Sequence, residues 1–191
     1  VGPVTYLSIG KVTGGNIEKF SLLESILPVY IEILKKLESL GATDIQIDEP
    51  IAITDCDAQQ LAAFKSTYET LSSETSMNIH LTTYFGDLRE NKATIFNLPV
   101  NSIHIDLTRG GESLSEILDH FPNNKKISLG LVNGRNIWLN NFEFSLELIK
   151  KAVQKLGNEN VIIASSSSLL HSPVSLKSED DLNDEVKEWL A

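Results

Sequence analysis

Short runs that alternate β-branched and polar residues recur along this chain, with a helix-like stretch between each pair. That alternation limits the fold more than any other feature. The strand-like runs are Val4–Ile9, Asp44–Glu49, Ile79–Thr83, Ile103–Leu107, Ile127–Val132 and Val161–Ala164. Their starts lie roughly 25–40 residues apart, enough for a helical return between parallel neighbours. Strands that alternate with helices imply a parallel sheet covered by helices. A closed barrel of this kind takes eight strands in about 250 residues. Six in 191 residues therefore reads as an α/β fold, a (β/α)8 TIM-type barrel that is incomplete, with about strands 3–8 and their helices. One domain over 1–191 is expected, since no linker or composition break divides the chain. An open doubly wound sheet is the alternative. The Gly-x-Gly-x-x-Gly phosphate fingerprint is absent, which weakens a nucleotide-binding version of it.

The intervening stretches carry helix signals. Ser21 to Leu40 reads as a helix that Pro28 kinks or restarts and Gly41 stops. Asp57 with Gln60 makes a capping box ahead of the apolar stripe Leu61, Phe64, Tyr68 and Leu71, and Ser113 with Glu116 makes another. A helix is expected around 87–97. Phe142, Leu146, Ile149, Val153 and Leu156 form a further stripe, ended by Gly157. A terminal helix would hold Leu182, Val186, Trp189 and Leu190.

Charge narrows the partners. The formal net charge of −10 argues against a nucleic-acid backbone or an anionic membrane as the main partner. No apolar run approaches the ~20 residues that span a bilayer. The single cysteine, Cys56, excludes an internal disulfide and suits a reducing, cytoplasmic setting. The chain opens at Val1 in an apparent strand, without an initiator methionine, and reads as part of a longer protein.

The densest chemical signal is Ile45-Gln46-Ile47-Asp48-Glu49-Pro50. Pro50 ends the strand, so two carboxylates sit at its C-terminal end, where parallel barrels build their chemistry. Adjacent strand residues point to opposite faces, so Asp48 and Glu49 cannot face each other as an acid–base pair. One of them can bind a ligand, or cap a helix or pair with a lysine. Asp106 ends its own strand in the same way, with a functional and a structural reading equally open. His80 and His104 lie inside strands between apolar residues and read first as hydrogen-bonded core residues. No spacing among His80, His104, His120, His171 and Cys56 resembles a metal site. Arg109-Gly110-Gly111 and Gly130 to Arg135 are loops able to hold an anion. The run Ser165–Ser168 lacks a nucleophile elbow and reads as polar packing. Trp138 and Trp189 read as packing or interface residues.

Taken together, Val1-Gly2-Pro3-Val4-Thr5, Ile45 to Pro50, Leu81-Thr82-Thr83-Tyr84-Phe85-Gly86, Asn133-Gly134-Arg135-Asn136-Ile137-Trp138 and Ser166 to Pro173 resemble cobalamin-independent methionine synthase. The resemblance runs in order along essentially the whole chain and is to the N-terminal of that family's two barrels. It implies a full-length methyltransferase that moves a methyl group from 5-methyltetrahydrofolate polyglutamate to homocysteine, with zinc activating the thiol as a thiolate. It also implies a chain that starts at the third barrel strand, with the C-terminal catalytic barrel of the same protein as partner. The positions aligned with the zinc ligands of that catalytic barrel hold Thr82, Tyr84, Asp106 and Ser167, so no metal and no cofactor are expected in this segment. The residue that holds the homocysteine amino group in the catalytic barrel is kept as Asp48, the one substrate-binding residue the resemblance implies. No catalytic residue is expected here, and the segment alone is expected to be inactive. The basic residues that meet the folate tail would lie upstream of Val1.

Two other readings stand beside it. One is a stand-alone, non-catalytic binding or scaffold domain of barrel type. The other, an enzyme like uroporphyrinogen decarboxylase, needs an arginine- and aspartate-lined pocket from a first barrel strand that the chain lacks. With strands missing, the unpaired edges are expected to bring self-association or marginal stability.

Overall fold

The structure is a computed structural model, and it describes residues 1–170 and 172–190. The expectations for His171 thus lie outside the described residues.

Five parallel strands form one sheet: β1 (Asp44–Asp48), β2 (Asn78–Thr82), β3 (Ser102–Asp106), β4 (Lys126–Val132) and β5 (Val161–Ser165). Their order in space is their order in sequence, every neighbour parallel. Right-handed crossovers in an unreversed order put every connecting helix on one face of the sheet. This is the layout of a barrel wall; a doubly wound sheet would reverse its order. The expected α/β class and incomplete barrel stand.

The sixth expected strand does not form. Val4–Ile9 belongs to helix α1 (Pro3–Ile9). Pro3 fixes its own φ in the helical range and has no N–H to lose at the first helical position. Two of the remaining first-turn donors, the N–H groups of Val4 and Thr5, bond the Glu49 carboxylate at 3.2 and 2.7 Å. The β-rich composition of the segment is overridden by this tertiary cap.

The other α-helices among the described residues are α2 (Leu23–Ser39), α3 (Ala58–Glu74), α4 (Lys92–Phe96), α5 (Leu114–His120), α6 (Phe142–Leu156) and α7 (Asp184–Glu188). Pro28 neither breaks nor restarts α2, which runs through it. Both expected capping boxes are made, at Asp57/Gln60 and Ser113/Glu116. The terminal helix is shorter than expected and stops at Glu188, so Leu182, Trp189 and Leu190 lie outside it.

Strand alternation sorts the two sheet faces. Ile47, Ile79, Leu81, Ile103, Ile105, Ile127 and Leu129 are buried beneath the helices, with Phe64, Tyr68 and Leu71 of α3 fully enclosed. The alternate residues form the opposite, concave-side face, which is polar.

Candidate functional site

Cross-strand register lines up Gln46 with His80, His80 with Ser102, His104 with Ser128, and Asp106 with Gly130. Two histidine–serine pairs therefore step across the polar face. The Ser102 hydroxyl lies 2.6 Å from His80 Nδ1, and Ser128 lies 2.9 Å from His104 Nδ1. His80 Nε2 meets the Asp44 carboxylate at 2.9 Å. His104 Nε2 donates to the Ser166 carbonyl at 3.2 Å, so in the neutral ring Nδ1 accepts the Ser128 proton. Burial lowers the His104 pKa and keeps the ring neutral. Both rings have hydrogen-bond partners at each nitrogen; His104 is buried and His80 is half-buried.

This face floors a cavity of about 740 Å³ at the C-terminal ends of the strands, lined by Asp48, Thr82, Tyr84, Phe85, Arg135 and Ser167 among others. Asp48 and Glu49 point apart, as strand geometry requires. Glu49 is fully buried on the other side, where it also accepts from the Tyr68 hydroxyl at 3.2 Å. Its pKa is raised by burial, against the pull of those hydrogen bonds. Asp48 faces the cavity. Gln46 donates to its Oδ1 at 2.7 Å, while Oδ2 has only a long 3.5 Å contact with the Tyr84 hydroxyl. Burial, and then the charge of Asp48, raises the Tyr84 pKa, so the phenol keeps its proton.

Asp106 does different work. Its Oδ2 accepts from Phe85 N at 2.9 Å, and its Oδ1 accepts from Thr108 N and Oγ1, both at 2.8 Å, and from Arg109 N at 3.1 Å. The carboxylate ties the loops after β2 and β3 together, and both oxygens are engaged. Thr82 is nearly buried, and the Ser167 hydroxyl is buried without a hydrogen-bond partner among the described residues. Two hydroxyls, a phenol and an engaged carboxylate do not fit a zinc ion, which takes thiolates, imidazoles and free carboxylates. Among the described residues no group of three histidine, cysteine or acidic side chains could hold a metal.

Other expected residues lie elsewhere. His120 lines a separate depression beside Lys92 and Glu112, and Cys56 lies half-buried outside the cavity. Arg109 is not among the cavity residues, and Trp138 and Trp189 are half exposed at 56% and 52%. Phe85 entered the sequence reading only as part of the Leu81 to Gly86 motif, with no role given to it. Its backbone is left-handed at φ 78°, its ring meets Tyr84 edge-on at 4.6 Å, and the Arg135 guanidinium lies 5.1 Å from its centroid. The cue available was Gly86, which marks the loop but not its geometry. No helix among the described residues is long and apolar enough to cross a membrane.

Comparison with known proteins places this geometry. A protein of Saccharomyces cerevisiae named 5-methyltetrahydropteroyltriglutamate–homocysteine methyltransferase is 44% identical over 190 residues, which is 98% of this chain and 25% of the relative. One of the same name from Salinibacter ruber is 40% identical over 192 residues, 100% of this chain and 25% of the relative. The chain thus spans about a quarter of the length of these curated relatives. Among solved structures, a B12-independent methionine synthase from Shewanella sp. W3-18-1 superposes with a TM-score of 0.64 at 15% identity, covering 90% of this chain and 52% of the other. A methyltransferase from Methanosarcina mazei gives 0.60 at 13% identity, covering 78% and 44%. At such low identity these two speak for the fold. The family model described as the N-terminal domain of cobalamin-independent synthase matches residues 1–157, and the chain belongs to that family.

Proposed function

We propose that this chain is part of the N-terminal barrel of a two-barrel methyltransferase, and that it seats substrate without doing chemistry. The full-length protein transfers a methyl group from 5-methyltetrahydrofolate polyglutamate to homocysteine. Its metal chemistry belongs to the C-terminal catalytic barrel, the partner of this one. The observation that carries the reading is the state of the cavity. Asp48 keeps one open carboxylate oxygen there, while Asp106 has both of its oxygens tied to loop N–H and hydroxyl groups. A carboxylate so placed takes an ammonium group, and among the described residues no group of metal ligands stands beside it to activate a thiol. The single cysteine, Cys56, leaves no internal disulfide to form, which supports a reducing, cytoplasmic setting.

The test compares methyl transfer by the full-length protein with that by residues 1–191 alone, checking the shorter chain for folding by circular dichroism. Turnover by the full-length protein only, with zinc near zero in the short chain, is expected. Homocysteine methylation by the short chain would overturn the reading.

A further inference from the structure

Arg135 is the one arginine or lysine lining the cavity, and it pairs with no acid among the described residues. Its position is nevertheless built. The Asn133 side chain accepts from Arg135 N at 2.8 Å, which shapes the turn that carries it. Gly134 before it donates to Ser166 Oγ at 3.2 Å and packs so closely on Ser167 that a Cβ would come within 2.7 Å of its carbonyl oxygen. The guanidinium lies over the Phe85 ring, whose left-handed backbone is held by the bond from Phe85 N to Asp106. A guanidinium held over a ring by cation–π attraction and paired with no acid has N–H donors left for an anion. The same cavity holds Asp48 with an open oxygen, and an apolar flank of Ile162, Ala164 and Leu170.

One open cationic fork, one open carboxylate and an apolar flank in a single cavity match a molecule bearing both charges and a short apolar side chain. We propose that the cavity binds a free α-amino acid, and that Arg135 is the residue that takes its carboxylate while Asp48 takes its ammonium. Asp106 and Phe85 are positioning residues that hold the fork in place. The assignment of Arg135 rests on the reading of Asp48 given above.

The test titrates the full-length protein calorimetrically with three probes: L-norleucine, L-norleucinamide, which lacks the carboxylate, and N-acetyl-L-norleucine, which lacks the ammonium. None has a thiol, so none can form a thiolate–metal bond elsewhere in the protein, and only binding that a substitution in this cavity alters is assigned to it. Arg135→Gln is expected to weaken L-norleucine binding at least tenfold and to leave L-norleucinamide unchanged. Asp48→Asn is expected to weaken both of those and leave N-acetyl-L-norleucine unchanged. An effect of Asp48→Asn alone would overturn the role of Arg135 and keep the seat at Asp48. Equal loss of L-norleucine and L-norleucinamide in Arg135→Gln would also overturn that role, since it would report a collapsed cavity. No binding by the parent protein, or none altered by either variant, would remove both readings. Unchanged melting temperatures show that the variants are folded.

Discussion

Gly130 shows how tightly single residues set the polar face. A Cβ there would lie 2.8 Å from the Ser166 Cα and 2.9 Å from His104 Nε2. Neither the backbone nor a ring locked at both nitrogens can yield easily, so Gly130→Ala is expected to destabilise by about 1–3 kcal/mol. Chemical denaturation measures it. His104, the ring that Gly130 admits, makes stability depend on pH. Burial lowers its pKa, and the pull of the Ser166 carbonyl, Asp106 and Asp48 in the other direction does not compensate. Between the lowered folded value and about 6.5, the unfolded chain binds a proton that the folded chain refuses. Its contribution is whole above that ordinary value and is lost as pH falls through the folded one. Urea titrations at pH 7.5 and 5 should show stability falling toward acid, with a smaller fall in His104→Gln. An equal fall in both proteins would mean that another group carries the dependence.

Elements were legible in the sequence where their signals are local. The strands show period-two alternation, and each capping box spans four residues, so both were readable. Helix α1 was not, because what caps it is Glu49, 44 and 45 residues away from the donors it serves. Composition favoured a strand there, and only Pro3 hinted otherwise. The same division runs through the site. Alternation alone sends Asp48 to one face and Glu49 to the other. The approach of Arg135 to the Phe85 ring depends on two loops and a left-handed residue that no short pattern encodes. If Glu49 is what makes α1 a helix, Glu49→Gln should turn one acceptor into a donor facing a backbone N–H. A hydrogen bond to a charged group contributes about 1.5–3 kcal/mol, and a loss of that size is expected. Hydrogen exchange should quicken at Val4 and Thr5 while β2, β3 and β4 stay protected. Unchanged protection at those two amides would show that α1 holds by packing alone.

At the scale of the whole molecule, the sheet is an arc with two ends. β1 and β5 each pair on one side only, apart from the bond of 2.7 Å that Gly2 N makes to Asp48 O at the end of β1. Parallel strands are ordinarily covered on both faces and closed or shielded at their edges. Here β5 pairs only with β4, with a register shift between Gly130 and Val132, and Ile163 on it is 60% exposed. Such an edge pairs readily with another strand. We therefore expect residues 1–191 on their own to self-associate through β5 and β1. Light scattering should give a mass that rises with concentration. Ile163→Lys puts a charge beside the edge and should lower that mass, whereas a charge added on α3, such as Gln59→Lys, should leave it unchanged. A monodisperse monomer with one cooperative calorimetric transition would contradict the prediction, and would mean that the arc is stable with its edges unpaired.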